Sequence, residues 1–422
     1  MLLWSVRRYP FFGSTTITAM DDHDDLLWRR EAVDRTLAVR EAFLEERATR
    51  SRSVDDLAGC HLAEPISAPA DRPADDRATM DGYAYASDDE GPLEVVSKSS
   101  FPESDRPSIE RGKAIEIATG APLPERADTV VKQEDVVVEN GTFDAPSLPA
   151  GTYVYERGSN LVAGDRLYER GDRLSALDAV LLRDIGYETL EGFEPFSVGV
   201  LATGTEIHEG KHTDLDSPML CNLLRSWGHD PVYEESVPDE GDSVEQRISE
   251  LAREHDIVVT TGGTSVGAKD YVIDALSSHG SVEFHRVRIR PGKPIAVARL
   301  PDHDALAVAI PGKPIGAYVS AVLVARVLFT GEETLPTLER EFTHDVGLGP
   351  EGFEYAIPVT LEGRTATPLG HVDSPLAVYE DTFDPSVLSS STRAATADGF
   401  VLTTSDIAAG ERVSVVQTST LE

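Results

Sequence analysis

The spacing of apolar residues divides the chain into blocks of different period. From Leu26 to Arg50 they recur at helical intervals between charged residues, and Ser53 followed by Val54, Asp55 and Asp56 has the form of a capped short helix. Between about Ala68 and Asn160 the pattern changes to short β-like runs (Leu93 to Val96, Ala114 to Ile117, Thr129 to Val131) broken by Gly, Pro and Asp, which predicts a β-rich module. Helical spacing returns over Leu174 to Ile185, with Gly186 as a stop signal.

From Phe196 to Phe329 strand and helix alternate. Val198 to Ala202, Pro231 to Ser236 and Ile257 to Thr261 read as strands; Leu220 to Trp227 and Val244 to Glu254 read as helices, and another helix follows from about Asp270. This alternation predicts a mostly parallel sheet wrapped by helices, in which ligands sit outside the carboxyl ends of the strands. The loops Thr203-Gly-Thr-Glu206, Thr261-Gly-Gly-Thr264 and Pro311-Gly-Lys-Pro314 all begin where a strand ends, so all three can border one crevice. After Leu335 short β runs resume to the C-terminus.

The expected fold class is therefore multidomain α/β and β, with an inserted β-rich module and a small C-terminal β domain. The expected segments are 20–67 with 161–195 as a helical linking domain, 68–160 as the inserted module, 196–333 as the α/β domain and 334–422 as the last β domain. Residues 1–19 are basic and aromatic, whereas Met20-Asp-Asp-His-Asp-Asp opens an acidic style kept thereafter, so 1–19 read as an extension from a start codon assigned too early. A signal peptide is the rival reading, but Arg7, Arg8 and Pro10 interrupt its apolar stretch.

The richest chemistry lies after the strand Ile257 to Thr261. Glycines and hydroxyls followed by a helix leave backbone N–H groups and a positive helix end to face an anion. If Phe284 to Ile289 is extended, alternation puts Arg286, Arg288 and Arg290 on one face, and Pro291-Gly292 turns the chain so that Lys293 closes over the same region. The competing account is a cationic strand edge neutralised by nearby carboxylates. Overall composition sharpens the choice: 38 Lys+Arg against 74 Asp+Glu give a formal charge of −36, which repels nucleic acid and anionic membranes, so a basic cluster has a local task. Such acidity with only seven lysines suits a cytoplasm of high salt. No apolar run reaches membrane-spanning length, and Cys60 and Cys221 have neither disulfide nor metal spacing. His208-Glu-Gly-Lys-His212 fits the HExxH string of zinc proteases but carries an interior glycine and no amphipathic helix around it, so a solvated loop is the better account.

Six strings, Thr79-Met-Asp-Gly-Tyr-Ala84, Thr119-Gly-Ala-Pro-Leu-Pro124, Thr203-Gly-Thr-Glu206, Thr261-Gly-Gly-Thr-Ser-Val-Gly267, Pro291-Gly-Lys-Pro294 and Pro311-Gly-Lys-Pro314, stand in the order and spacing of the MoeA and gephyrin E-domain family, which the chain resembles from about Leu26 to its end, as an archaeal halophilic-type member. The resemblance implies a MogA-like three-layer α/β domain and elongated homodimers. It also implies molybdenum cofactor synthesis, in which adenylyl-molybdopterin and molybdate are bound, AMP is released with the help of Mg²⁺ and molybdenum is left on the dithiolene. On that reading Asp81, Glu206 and Asp270 are the catalytic carboxylates, and Glu206 and Asp270 hold the metal. Thr119, Thr261, Gly262, Gly263, Thr264, Ser265, Gly267, Arg286, Arg290, Lys293 and Lys313 bind the substrates, and other molybdenum cofactor proteins are further partners. For Asp270 the plain alternative is a helix N-cap, and for Glu206 and Asp81 a solvated loop acid.

Three positions depart from the family pattern: Gly158-Ser-Asn160 lacks a carboxylate, Pro311-Gly-Lys-Pro-Ile-Gly316 replaces an amide by a cation and deletes a hydroxyl, and Asp216-Ser-Pro218 removes an amide donor. They keep open a second function, a non-catalytic paralogue acting as molybdopterin carrier or scaffold.

Overall fold

A computed structural model describes residues 26–264 and 270–422, and the expectations for 1–19, Ser265 and Gly267 lie outside the described residues. The chain forms two compact units, Leu44–Glu194 and the remainder, Pro195–Glu422 with the residues before Leu44.

In the first unit the β-like runs form a five-stranded sheet in the order Thr129–Lys132, Gly82–Tyr85, Lys113–Ile117, Pro92–Val95, Thr142–Asp144. Successive side chains leave a strand on opposite faces, and here both faces are covered. Ala84, Ile115, Ile117 and Val130 enter one cluster, while Tyr83, Tyr85, Ala114 and Val131 enter another with Leu93 and Phe143. Ser53 caps the turn Val54–Asp56 by accepting from Asp55 N at 3.2 Å. The helix expected over Leu174 to Ile185 is confined to Asp178–Asp184, because the Asp178 carboxylate accepts from Ser175 N and Oγ and so closes a turn ahead of it; Gly186, at φ 96°, ends it.

The second unit begins with the helix Arg29–Leu44, shorter than its apolar pattern because Leu27 is bridged to Val287 before it and Thr49 and Arg50 pair as strand with Phe193 and Gly192 after it. Its main sheet uses β1 (Ser197–Thr203), β2 (Asp230–Val237), β3 (Ile257–Thr261), β4 (Ser281–His285), β5 (Ala296–Leu300) and β6 (Ala305–Ile310), in the order β2-β1-β3-β6-β5-β4. The first four in that order are parallel, and β5 and β4 add an antiparallel edge. Ala202 lies opposite Thr261 and Thr261 opposite Ile310, so β1, β3 and β6 end level with one another. Helices α1 (Asp216–Ser226), α2 (Gly241–Glu254), α3 (Tyr271–His279) and α4 (Pro314–Ser320) connect or follow them. Along α2, Val244, Ile248, Leu251 and Ala252 recur at helical spacing and bury one stripe against Leu201, Val258 and Ala307.

The strand expected over Phe284 to Ile289 does not exist as one piece. β4 stops at His285, Arg286 takes φ 77°, Val287 makes an isolated bridge to Leu27, and a strand resumes at Ile289–Arg290, which runs parallel to Glu354–Tyr355. A positive φ rotates the chain out of the pleat, so the three arginines do not share a face.

The last segment is a barrel of β7 (Thr337–Phe342), β8 (Glu354–Glu362), β9 (Thr365–Pro368), β10 (Gly399–Thr403) and β11 (Arg412–Gln417). It closes because β8 pairs with both β9 and β10. Its one internal parallel pair is β7 with β9.

Ile248 is fully buried between α2 and the sheet. Ile248→Ala is expected to lower unfolding free energy by about 2–5 kcal/mol, the cost of a core cavity, read from urea denaturation at fixed salt.

Candidate functional site

The level ends of β1, β3 and β6 open into a crevice of about 530 Å³. Its floor is the turn Thr261-Gly-Gly-Thr264, where backbone approaches backbone. A Cβ on Gly262 would lie 2.5 Å from Thr203 O, one on Gly263 would lie 2.8 Å from Thr203 Oγ1, and one on Gly312 would lie 2.9 Å from Gly262 Cα. Gly262 and Gly263 also have φ of 88° and 64°, so both sterics and conformation demand glycine. Gly262 N donates to Ile310 O at 3.1 Å, which locks the turn to the end of β6.

Among the described residues three cations line this space: Arg290, Lys293 and Lys313. The Arg290 guanidinium lies 4.1 Å from the centre of the Phe353 ring, and the Lys293 ammonium 5.7 Å from the same centre, so one aromatic face steadies both. Lys313 stands at the N-cap of α4. A Cβ on Gly316 would meet its nearest neighbour at 3.7 Å, ordinary contact, so the hydroxyl that the motif lacks leaves space open to the crevice.

Three carboxylates line it as well: Glu206, in the short helix Thr205–His208 after β1, together with Asp216 and Asp239. Asp216 is buried, and its Oδ2 accepts from Thr261 Oγ1 at 3.1 Å while Oδ1 has no hydrogen-bond partner among the described residues. Burial pushes its carboxyl up to about 6; the Thr261 bond pulls the other way and the Asp214 charge adds to the rise. A buried carboxylate with an orphaned oxygen in a polar crevice is suited to a cation, so the donor set fits a hard divalent ion.

Asp270 and Arg286 do not line the crevice. Asp270 occupies the N-cap of α3, its Oδ2 3.8 Å from His285 Nε2. Burial pushes the carboxyl up to about 6 against the Arg286 charge, and pushes the His285 imidazole down to about 4 with the help of Arg286 and Lys293. Arg288 is used elsewhere: it donates to Leu26 O and Gly352 O and covers the Trp28 ring.

Asp81 and Thr119 belong to the first unit. They stand at the same end of an antiparallel pair in which Gly82 faces Ile117, and Thr119 N and Oγ1 both donate to Asp81 Oδ1, at 2.7 and 2.8 Å. Those bonds hold the exposed Asp81 carboxyl below its ordinary value. Arg157 is paired with Asp71 at 2.7 Å on the surface of this unit. The HExxH string is not helical: the helix Thr205–His208 ends inside it, and Lys211 N and His212 N donate to Glu206 O.

Sequence reasoning did not assign Asp216, Asp239, Ser386 or Ser389, which also line the crevice. The two serines come from the helix Pro385–Leu388, where Asp384 accepts from Ser386 N and Val387 N, and Ser389 O receives Ile315 N of α4 at 3.0 Å. The Asp384-Pro385 cap was a legible helix signal; its place beside the crevice was not.

Residues 29–186 match the MoeA N-terminal region (domain I and II), and 199–331 match the family described as "Probable molybdopterin binding domain". The chain is 32% identical over 283 residues to a molybdopterin molybdenumtransferase of Synechococcus elongatus, covering 62% of this chain and 70% of that protein. A protein of the same name in Haemophilus influenzae is 30% identical over 284 residues, covering 64% of this chain and 70% of that one. Two crystal structures of molybdopterin biosynthesis MoeA proteins from Pyrococcus horikoshii align with TM-scores of 0.66 and 0.69, at 25% and 19% identity, each across 93% of this chain and essentially all of theirs, 99% and 100%.

The folded value of Asp216 lies above that of an unfolded aspartate, so its contribution to stability is complete below about pH 4 and is lost as pH rises through about 6. Relative to the wild type, Asp216→Asn is therefore expected to gain on the order of 2–3 kcal/mol between about pH 4 and pH 8, measured by urea denaturation at constant salt.

Proposed function

The chain belongs to the molybdopterin molybdenumtransferase family of molybdenum cofactor biosynthesis, and on that premise we propose that it transfers molybdenum from molybdate to adenylyl-molybdopterin with release of AMP. The observation that carries this reading is the meeting of three cations and three carboxylates at the level ends of β1, β3 and β6. Both substrates are anions, and an ion-assisted reaction on a phosphate needs positive groups for the oxygens and negative groups for the ion.

In this scheme Arg290, Lys293 and Lys313 orient phosphate and molybdate oxygens, and the N–H groups of the turn after β3 take the remaining charge; contacts of this kind contribute about 0.3–1 kcal/mol when exposed and up to about 2 when partly buried. Glu206 is assigned to Mg²⁺, with Asp216 as a further donor because of its orphaned oxygen; Asp270, which does not line the crevice, is left out of this set. Bound there, the ion would neutralise phosphate charge and favour loss of the nucleotide. Thr119 holds Asp81 ionised, which keeps that residue a hydrogen-bond acceptor for the substrates. We place the protein in the cytoplasm as a homodimer, with other molybdenum cofactor proteins as partners.

Incubating the purified chain with adenylyl-molybdopterin, molybdate and Mg²⁺ in high salt is expected to release AMP in step with cofactor formation. Pterin binding without AMP release would instead identify a carrier. Glu206→Gln is expected to cut AMP release more than pterin binding, and Arg290→Ala with Lys293→Ala to weaken binding of both anions; turnover unchanged in Glu206→Gln removes that residue from the mechanism.

A further inference from the structure

A second cluster of donor groups lies away from the crevice, at the rim of the C-terminal barrel. β7 and β9 run parallel, with Glu341 opposite Thr365 and Phe342 opposite Ala366, so the chain segments that leave them travel side by side. Two residues beyond β7 stands His344, and three beyond β9 stands His371, followed by Asp373. The two imidazole centres are 4.3 Å apart. His344 Nε2 is 3.4 Å and His371 Nδ1 3.8 Å from Asp373 Oδ2, and one donor atom from each of the three residues lies within 4.8 Å of the other two. The donor atoms of a tetrahedral zinc site stand about 3.3 Å apart, so small side-chain rotations separate this cluster from ligand geometry.

Hydrogen bonding decides what those atoms offer. Thr343 Oγ1 is 2.7 Å from His344 Nδ1 and also within reach of Ala366 O (3.4 Å) and Thr367 Oγ1 (3.2 Å), so it supports the ring from behind. With its proton on Ala366 O or Thr367 Oγ1 the hydroxyl accepts from Nδ1–H, and in that tautomer, the one a metal at Nε2 selects, the Nε2 lone pair points at Asp373. His371 Nδ1 accepts from Asp373 N at 3.2 Å, so it too presents a lone pair, through a bond that a stronger Lewis acid would replace. In that tautomer two imidazole lone pairs and a carboxylate oxygen converge, a donor set that suits a cation. A hydroxyl that orients a ligating histidine from behind is what metal sites use to set its tautomer. The buried His371, braced edge-on by Tyr379, makes the arrangement rigid, whereas the exposed Asp373 keeps it open to exchange.

We propose that the rim of the barrel holds a divalent transition ion, Zn²⁺ by donor softness, through His344, His371 and Asp373, with water in the fourth position. Two nitrogens and one oxygen suit zinc and disfavour Mg²⁺, which takes oxygen ligands, so this site and the crevice select different ions. The ion clips together the two segments leaving β7 and β9.

The test uses the full chain, stripped with chelator and held in excess Mg²⁺. Titration calorimetry with Zn²⁺ is expected to saturate at one equivalent, and Co²⁺ to give the visible absorption of a tetrahedral ion. His344→Gln or His371→Gln should abolish both, and Thr343→Val should weaken binding by about tenfold through loss of the orienting hydroxyl alone. Circular dichroism checks that each variant is folded, and Thr343→Val carries the test should a histidine variant fail to fold. Absence of saturable Zn²⁺ uptake, or uptake by Thr343→Val and the folded histidine variants equal to that of the wild type, overturns the proposal.

Discussion

The second unit depends on a contact with almost nothing in it: backbone against backbone at Gly262 and Gly312, and backbone against the Thr203 and Val272 side chains at Gly263. Each of these positions meets a neighbouring segment at a distance no Cβ can occupy. Because the side chains are missing there, the ends of β1, β3 and β6 draw together, and the residues that follow them face one volume. Alanine at any of these positions would wedge the loops apart, so the crevice is a product of steric absence before it is a product of charge.

Charge then decides what the crevice can accept. In a molecule of net charge −36, Arg290, Lys293 and Lys313 share one space with Glu206, Asp216 and Asp239. The sequence suggested an anion cradle; the structure gives a space in which both signs are represented. The aromatic face of Phe353 and the hydroxyl of Thr261 are the fixed supports of the two sides.

Much of the fold was legible, because it depends on local rules. β3 spans the residues its apolar run predicted, Asp270 precedes a helix, Ser53 caps a turn, and the three loops at strand ends do border one crevice. The failures have tertiary causes. Nothing in the identity of Arg286 announces φ 77°, since a non-glycine residue adopts it only where neighbouring bonds, here Arg286 N to Ile295 O and Val287 N to Lys293 O, enforce it. Asp216 could be read as a helix start but not as a buried acid, because its burial comes from Thr261, far along the chain. Ser386 and Ser389 reach the crevice from the barrel segment, a proximity no local pattern encodes.

The short strand Ile289–Arg290 joins the barrel sheet by running alongside β8, and Arg29 ties to Glu354 in that same strand at 2.5 and 3.1 Å. Arg290 is thus mounted on the barrel through its backbone and on Phe353 through its side chain, while the glycine turn is mounted on the main sheet. The crevice behaves as a calliper with one jaw on each body. Its gauge is set by how the barrel seats, and a change in the remote loop before β8 would re-space the cations without touching a single residue that lines the gap.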